Sequence, residues 1–321
     1  MEIVCPAGTP ASLRAAVKAG AHTIYCGFAD ETNARNFPGL NFDRSEMRDG
    51  IAFAHNHGAK VLIAINTFPR AGAEAIWHAA ISDAADLGAD AVILADLGLL
   101  SFAAESHPEL RRHLSVQAAA ANADMVDFYA EAFGVKRVVL PRVLSVPEIA
   151  AINAETEVFV FGGLCVMAEG RCSLSSYATG KSPNMNGVCS PPSHVDYRED
   201  KGVLQARLGG YLIHSAVKGE PAPYPTLCKG SFTAGDKSGY LFEDPVSLNA
   251  EQLIPQLQKA GVTALKIEGR QRSASYVAQV VKNFRAAVDA LAAGQPMPAG
   301  MLTRLSEGQA STVGAYKKIW R

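Results

Sequence analysis

The feature that most constrains this chain is a regular alternation of strand-like and helix-like segments. Eight short runs rich in apolar and β-branched residues recur along it, at 2–7, 23–28, 60–66, 91–96, 114–119, 137–141, 158–163 and 264–269. Their nearly continuous apolarity favours parallel strands that are covered on both faces. Helix-like patterns lie between most of them, and several end in glycine, which adopts a left-handed backbone at little cost. The alternation predicts an α/β fold, a (β/α)8 TIM-like barrel.

The alternation is interrupted once, after the seventh strand, where residues 164–247 are rich in Gly, Pro, Ser and Cys. A helix predicted over 248–260 then restores it. The chain accordingly divides into the first seven strands (1–163), a Cys-rich insertion (164–247), the end of the barrel with its eighth strand and flanking helices (248–294), and a C-terminal tail (295–321). In the tail, Tyr316 and Trp320 are candidate anchors.

Charge and hydropathy limit the compartments and partners that we expect. The formal net charge is −1, which provides no field for nonspecific capture of nucleic acid or anionic membrane. The N-terminal residues lack the basic and apolar regions of a signal peptide, and no apolar run is long enough for a membrane span. We therefore expect a cytoplasmic protein, in which the six cysteines are unlikely to form structural disulfides.

Four of those cysteines lie in the insertion, where they form a candidate metal site. Cys165, Cys172, Cys189 and Cys228 are separated by 6, 16 and 38 residues. A loop after the seventh strand emerges at the C-terminal mouth of a barrel, where active sites are found. Four thiolates suit either tetrahedral zinc or an iron–sulfur cluster, and the absence of paired C-x₂₋₄-C knuckles favours a [4Fe-4S] cluster.

Polar residues at the strand ends form a second group of candidates, because such residues at the mouth of a barrel usually act on substrate. Three arginines among them could clamp carboxylates, and a small polyanionic ligand fits this pattern. The alternative is that these residues form a ring of mutual salt bridges. The predicted catalytic residues are Arg142, Glu268, Arg270 and Asp96, and the predicted substrate-binding residues are Asn33, Arg35, Asn66 and Gln117.

Motifs for hydrolysis are missing from the sequence. It contains neither a G-x-S-x-G nucleophile elbow nor an H-E-x-x-H metal motif, so peptidase activity is not expected. The glycine-rich phosphate motif G-x-x-x-x-G-K is absent too.

Several long runs closely resemble the collagenase-like peptidase family, and the resemblance extends over nearly the whole chain. Within that family they resemble a branch that serves oxygen-independent ubiquinone biosynthesis. The runs are NARNFPGLNF (33–42), AINTF (64–68), ADAVILADL (89–97), LCVMAEGRCSLSSYATGKSPN (164–184), YPTLCKG (224–230), SLNAEQLIPQL (247–257) and LKIEGRQRSASYVAQV (265–280).

The resemblance implies a [4Fe-4S] cluster held by the four insertion cysteines, and hydroxylation of a prenylated aromatic ring without O₂. It also implies a heterodimer with a homologous cluster-binding subunit, UbiV, and a lipid-binding accessory protein, UbiT. Related members of the family hydroxylate nucleobases in RNA, with prephenate as the proposed oxygen donor. A dicarboxylate of that kind would suit Arg35, Arg142 or Arg270.

Three functions follow from these expectations. The first is a hydroxylase subunit that acts on a ubiquinone precursor, and the second is a prephenate-dependent tRNA pyrimidine hydroxylase. The third is a noncatalytic electron-transfer or scaffold subunit whose partner carries the substrate.

Overall fold

Eight parallel strands close into a barrel, as the alternation predicted. The structure is a computed structural model that describes residues 1–167, 172–183, 188–217, 220, 224–298, 300, 302, 305 and 310–317. The barrel strands are β1 (Glu2–Pro6), β2 (Thr23–Cys26), β3 (Lys60–Ile65), β4 (Ala91–Leu94), β5 (Arg112–Leu114), β6 (Arg137–Val139), β7 (Thr156–Gly163) and, eighth around the barrel, β14 (Ala264–Ile267). Each pairs in parallel with the next, and β14 pairs with both β1 and β7, which closes the ring.

Helices follow the strands and cover the outside of the barrel. They are α1 (Pro10–Lys18), α2 (Arg44–His55), α3 (Glu74–Asp86), α4 (Leu97–Ser106), α5 (Ala123–Phe133), α6 (Val146–Ala150), α8 (Ile254–Lys259) and α9 (Ala274–Ala292). Local sequence sets their ends. The Thr9 side chain caps α1 ahead of Pro10, Asp43 and Glu46 form a capping box on α2, and α5 ends at Gly134 in the left-handed conformation.

The strand faces divide the apolar residues into two layers. One large cluster fills the space between strands and helices and contains the fully buried Trp77, Phe42 and Phe284. A smaller cluster inside the barrel contains Val4, Tyr25, Leu62, Ala64, Ala91, Ile93 and Ala264. The interior also contains a buried ion pair, in which Lys266 Nζ lies 2.5 Å from Glu157 Oε1.

Two elements differ from the sequence prediction. The fifth strand was expected over 114–119, but it covers Arg112–Leu114. It ends there because the Ser115 hydroxyl accepts a hydrogen bond from the Gln117 backbone and starts a 3₁₀ helix over Val116–Ala118. The helix expected from 248 begins only at Ile254. Residues Val246–Asn249 form strand β13, which pairs antiparallel with the end of β7, and a 3₁₀ turn separates it from α8.

The insertion after β7 has secondary structure of its own. It begins with the short helix α7 (Leu174–Thr179), continues with the antiparallel sheet of β8 (Val195–Asp200), β9 (Val203–Leu208) and β10 (Tyr211–Val217), and then forms the hairpin of β11 (Ser231–Ala234) and β12 (Lys237–Tyr240). The β9–β10 turn packs against α7, since a Cβ added at Gly209 would lie 2.0 Å from the Ala178 carbonyl oxygen.

The tail returns to the barrel. Strand β15 (Ala310–Thr312) pairs in parallel with β13, and the buried Tyr316 donates its hydroxyl hydrogen to the carbonyl of Phe159. Tyr316 is therefore an anchor, and Trp320 lies outside the described residues. Within the described part of the chain, no helix combines the length and apolarity needed to cross a bilayer.

Candidate active site at the mouth of the barrel

The strand ends bring most of the predicted site residues to the C-terminal mouth of the barrel. Asn33 and Arg35 lie in the loop after β2, Asn66 follows β3, and Gln117 lies in the 3₁₀ helix after β5. Arg142 follows β6, while Glu268 and Arg270 follow β14. Because these strands are parallel, their carboxyl ends meet at one side of the barrel.

Asn33 is the centre of a buried hydrogen-bond network at this mouth. Its side chain is fully buried, and its Nδ2 donates to the Phe28 carbonyl at 3.2 Å and to Asn41 Oδ1 at 3.0 Å. Its Oδ1 accepts from the Arg35 backbone at 3.0 Å and from Arg270 Nη1 at 2.7 Å. One amide therefore fixes the β2 loop and orients a guanidinium that comes from the other end of the sequence.

Glycines allow this close packing. A Cβ at Gly27 would lie 2.4 Å from Asn33 Nδ2, and a Cβ at Gly8 would lie 2.1 Å from the carbonyl oxygen of Arg270. A side chain at either position would displace the network, so glycine is required there for its small size.

Arg142 and Glu268 form an ion pair across the mouth. Arg142 Nη2 lies 2.5 Å from Glu268 Oε2, and the guanidinium Cζ lies 3.5 Å from the centroid of the Phe159 ring. Arg35 approaches the same carboxylate, with its Nη2 3.9 Å from Glu268 Oε1. The carboxylate of Glu268 thus faces two guanidinium groups. Since its two oxygens have about four lone-pair sites, it can still accept a hydrogen bond from a substrate.

Arg270 is a second buried cation of the mouth, beside Arg142. Burial lowers its pKa, and the strongest interaction that opposes this effect is with Tyr25, whose ring centroid lies 5.1 Å from the guanidinium Cζ. Its close hydrogen-bond partner is the amide oxygen of Asn33. A buried guanidinium held by a neutral amide is well suited to an anionic ligand.

Two further amides lie in the segments that follow β3 and β5. Asn66 Oδ1 accepts from the Ala34 backbone at 3.1 Å, and its Nδ2 lies 3.5 Å from the hydroxyl of Ser115. Gln117 is 6% exposed, and its Oε1 is buried with no hydrogen-bond partner among the described residues. A buried acceptor of this kind is costly unless another group, such as a ligand, supplies a donor.

Asp96 does not join this arrangement. Its Oδ1 accepts a hydrogen bond from the Leu99 backbone at 3.0 Å, so that it caps the N-terminus of α4. The structure thus shows a helix-capping contact for Asp96, and the catalytic role predicted for it stays a prediction.

Sequence reasoning missed three residues that build the mouth: Asn41, Ser115 and Phe159. Asn41 has a left-handed backbone (φ 76°), and its Nδ2 donates to the Arg35 carbonyl at 2.9 Å. The asparagine-rich run NARNFPGLN was the available signal for Asn41, because asparagine tolerates this conformation. Phe159 had no signal, since a phenylalanine within an apolar strand is typical of a core residue.

The four insertion cysteines lie beside this mouth. None is in a disulfide, and electrostatic interactions reach from the Cys228 thiol to the thiols of Cys165, Cys172 and Cys189. Burial, and then these thiols, raise the pKa of Cys228 to about 12. Surrounding protein atoms also raise the pKa of Cys189, although part of this residue is exposed.

The Cys189 thiol connects the cysteine group to the strand-end residues. It interacts electrostatically with both Arg35 and Glu268, and with Lys229 as well. In its chemistry the donor set, four thiols outside disulfides with two cations nearby, suits a cluster whose thiolate ligands carry negative charge. Among the described residues, however, no three His, Cys, Asp or Glu side chains lie close enough together to hold a metal ion.

Two serine–histidine hydrogen bonds occur among the described residues, and one of them, Ser193–His194, joins exposed sequence neighbours 3.0 Å apart. Ser82 on α3 and His107 after α4 lie 2.8 Å apart. The His107 ring also lies edge to face with Phe102, and among the described residues no carboxylate forms a hydrogen bond or ion pair with it. A hydrolytic triad needs that third group, so this pair gives no support to peptidase chemistry.

A comparison with models of known protein families identifies the family of this chain. The model described as peptidase family U32 matches residues 8–312. The chain belongs to peptidase family U32. The resemblance to the collagenase-like peptidases is thereby confirmed, over nearly the whole chain.

Curated U32 relatives include proteins of RNA hydroxylation. The tRNA hydroxylation protein P of Escherichia coli is 32% identical, over 95% of this chain and 71% of its own length. The 23S rRNA 5-hydroxycytidine C2501 synthase of the same organism is 28% identical, over 96% of this chain and 42% of its own length. A solved U32 peptidase superposes on 50% of this chain with 18% identity and a TM-score of 0.42.

Proposed function

We propose that this chain is the iron–sulfur subunit of an oxygen-independent hydroxylase that acts on a prenylated aromatic ring in ubiquinone biosynthesis, as the protein UbiU does. The observation that carries the proposal is the position of Cys189, whose thiol interacts with both Arg35 and Glu268. A group of cysteines suited to redox chemistry therefore adjoins polar residues suited to holding a substrate. The named relatives support hydroxylation in general.

A [4Fe-4S] cluster would be held by Cys165, Cys172, Cys189 and Cys228. When bound, it would supply one-electron transfer, and four cysteine ligands would leave no open iron site for substrate. The thiols must lose their protons for this, and the two thiols with raised pKa would bind metal more weakly at low pH.

The remaining residues of the mouth would bind and orient the reactants. Glu268 would accept a hydrogen bond from a ring hydroxyl, and Gln117 Oε1 offers a second acceptor. Arg270, whose close partner is a neutral amide, and the partly exposed Arg35 would bind the carboxylates of an oxygen donor such as prephenate. We propose UbiV as the partner subunit and UbiT as the accessory protein that delivers the prenylated substrate.

Hydroxylation of a tRNA pyrimidine is the second candidate, and the relatives named for tRNA hydroxylation favour it. A net charge of −1 favours a small or lipid-like substrate instead, because RNA binding usually relies on a basic surface. The noncatalytic alternative leaves the mouth without a role, although the mouth contains a buried guanidinium and an unpartnered acceptor.

The test is anaerobic co-expression of this chain with UbiV, followed by iron and acid-labile sulfide analysis and a hydroxylation assay by mass spectrometry. One arm supplies a prenylated phenol, and the other supplies tRNA from a strain that lacks the tRNA hydroxylation proteins. Product in the phenol arm alone supports our proposal. Product in the tRNA arm alone contradicts it in favour of the second candidate.

Matched cysteine variants test the cluster. Cys228→Ala should lose iron, sulfide and activity, whereas Cys26→Ala should keep all three. Cys26 is buried between Met47 and β3 and lies on the outer layer of the barrel, so its loss controls for the removal of a thiol. Full cluster content in Cys228→Ala would contradict the ligand set.

A further inference from the structure

Arg35 contacts both the barrel and the Cys-rich insertion. Its Nη1 donates to the carbonyl oxygen of Pro183 at 3.4 Å, and its Nη2 lies 3.9 Å from Glu268 Oε1. Pro183 belongs to the segment between Cys172 and Cys189, and Glu268 follows the eighth barrel strand. A single guanidinium therefore spans the boundary between the two parts of the molecule.

The backbone of Arg35 is held firmly on the barrel side. Its N–H donates to Asn33 Oδ1 at 3.0 Å, and its carbonyl accepts from Asn41 Nδ2 at 2.9 Å. Both asparagines are buried, and Asn33 is fixed in turn by Arg270. The side chain thus starts from a fixed point, which favours one direction for the guanidinium.

Two features set Arg35 apart from the other cation near the cysteines, Lys229. The Lys229 ammonium donates to the Val246 carbonyl at 2.6 Å, within the insertion and its return to the barrel. Arg35 instead joins the insertion to Glu268, and it needs a planar group with separate nitrogens to contact both partners. Both cations interact electrostatically with Cys189.

We propose that Arg35 is a positioning residue that fastens residues 172–183 to the mouth and holds a positive charge between Cys189 and Glu268. This inference rests on the proposed cluster but not on the proposed substrate. A bound cluster would gain one negative charge on reduction by an external one-electron donor. The guanidinium of Arg35 would stabilise that reduced form, so Arg35 would raise the reduction potential.

The test compares Arg35→Gln and Arg35→Lys with the wild-type complex. Arg70→Gln is the matched control, because Arg70 pairs with Glu31 on the exposed surface, with Nη2 and Oε1 3.0 Å apart. Each complex is purified anaerobically, its iron and sulfide are counted, and the midpoint potential is measured by redox titration followed by electron paramagnetic resonance.

At equal cluster content, Arg35→Gln should lower the midpoint potential, and Arg70→Gln should leave it unchanged. Arg35→Lys keeps the charge without the two-sided contact, so we expect a smaller decrease. Glu268→Gln should shift the potential upwards, because it removes a negative charge. The same potential in the wild type and in Arg35→Gln would overturn the electrostatic part of the inference.

Hydrogen exchange of the full chain, as isolated, tests the fastening role independently. Peptides that cover residues 172–183 should exchange faster in both Arg35 variants than in the wild type and in Arg70→Gln. Unchanged exchange in that segment would overturn the fastening role. Absence of iron from the wild-type complex would contradict the cluster and the charge effect that depends on it, and hydrogen exchange would still decide the contact.

Discussion

Arg142 and Glu268 are 126 positions apart in sequence and 2.5 Å apart in the structure. The guanidinium of Arg142 lies between that carboxylate and the face of Phe159, and its side chain is 3% exposed, against 26% for Glu268. The pair therefore has a protected cation and a carboxylate that still meets solvent. Arg142 is thereby suited to keep its position while the carboxylate of Glu268 contacts a substrate.

Glu268→Gln should reduce turnover strongly while the cluster content stays the same. The amide cannot neutralise the buried guanidinium, and removal of one partner from a fully buried pair costs about 3–5 kcal/mol. Because Glu268 is partly exposed, we expect a loss of about 1–3 kcal/mol in the free energy of unfolding. Urea unfolding and hydroxylation assays on the same preparation check both effects. Wild-type turnover in this variant would remove Glu268 from the reaction.

Gly27→Ala should disturb the mouth through Asn33. The added methyl group would lie 2.5 Å from Asn33 Cγ as well as close to its Nδ2, so the amide that holds Arg270 must move. Forced shifts of this kind cost about 1–3 kcal/mol. We expect a lower free energy of unfolding and weaker binding of an anionic reactant.

A double-mutant cycle identifies the cause. If the clash with Asn33 is responsible, Gly27→Ala should cost much less in an Asn33→Ala background than in the wild type. Equal costs in the two backgrounds, measured by urea unfolding, would contradict the role of Gly27 as space for the Asn33 amide.

The barrel could be predicted because its signals are local and repeated. Each strand is a short apolar run, and Gly20, Gly58, Gly88, Gly134 and Gly261, which were expected to end helices, all have positive φ. The insertion carried signals too: alternating segments flank Lys201–Gly202 and Gly209–Gly210, which are typical hairpin turns. Its composition, rich in Gly, Pro, Ser and Cys, obscured that alternation.

The partners within the site were less predictable than its location. Strand ends indicate which residues reach the mouth, but Asp96 at such an end caps its own helix, and Arg142 pairs with Glu268 from the eighth strand. Both arrangements depend on side-chain directions and on distances across the barrel. Periodicity along the chain gives neither side-chain directions nor distances across the barrel. The site could therefore be located from the sequence, but its internal contacts could not be predicted.

Arg112 should contribute strongly to stability although it forms no ion pair among the described residues. Its guanidinium is buried, and it donates to the carbonyl of Phe133 at 2.8 Å and to that of Leu110 at 2.9 Å, with longer contacts to three further carbonyls. These acceptors lie at or just beyond the ends of α4 and α5, where carbonyls lack helical partners. Burial lowers the pKa of Arg112. Hydrogen bonds to the carbonyls are what a buried charge needs to offset the cost of leaving water.

Arg112→Met should lower the free energy of unfolding by about 2–4 kcal/mol, because several buried carbonyls lose their donor. Arg48→Met, at an exposed position on α2, should change it by less than about 0.5 kcal/mol. Urea unfolding of both variants measures the two changes in free energy. A small effect at Arg112 would mean that water replaces the guanidinium at these helix ends.

His113 should make the stability depend on pH. It lies on β5, is 2% exposed, and its Nε2 accepts a hydrogen bond from Arg111 Nε at 2.9 Å. Nδ1 is buried, and no residue in the described part of the chain forms a hydrogen bond with it. Burial, and then the neighbouring cations Arg137, Arg111, Lys266 and Lys60, lower the pKa of His113 well below its ordinary value.

The unfolded chain takes up a proton on this ring near pH 6.5, whereas the folded chain does not. The stability that this neutral ring contributes is therefore complete above about pH 6.5 and declines as the pH falls towards the folded pKa. The decline is about 1.4 kcal/mol for each pH unit.

Burial of His22 lowers its pKa as well, so the wild-type slope has a second contribution of the same sign. Replacing His113 by Gln should reduce the slope of unfolding free energy between pH 6.5 and pH 5 without abolishing it. Urea unfolding at several pH values measures this, and an unchanged slope in His113→Gln would show that the ring is protonated in the folded barrel.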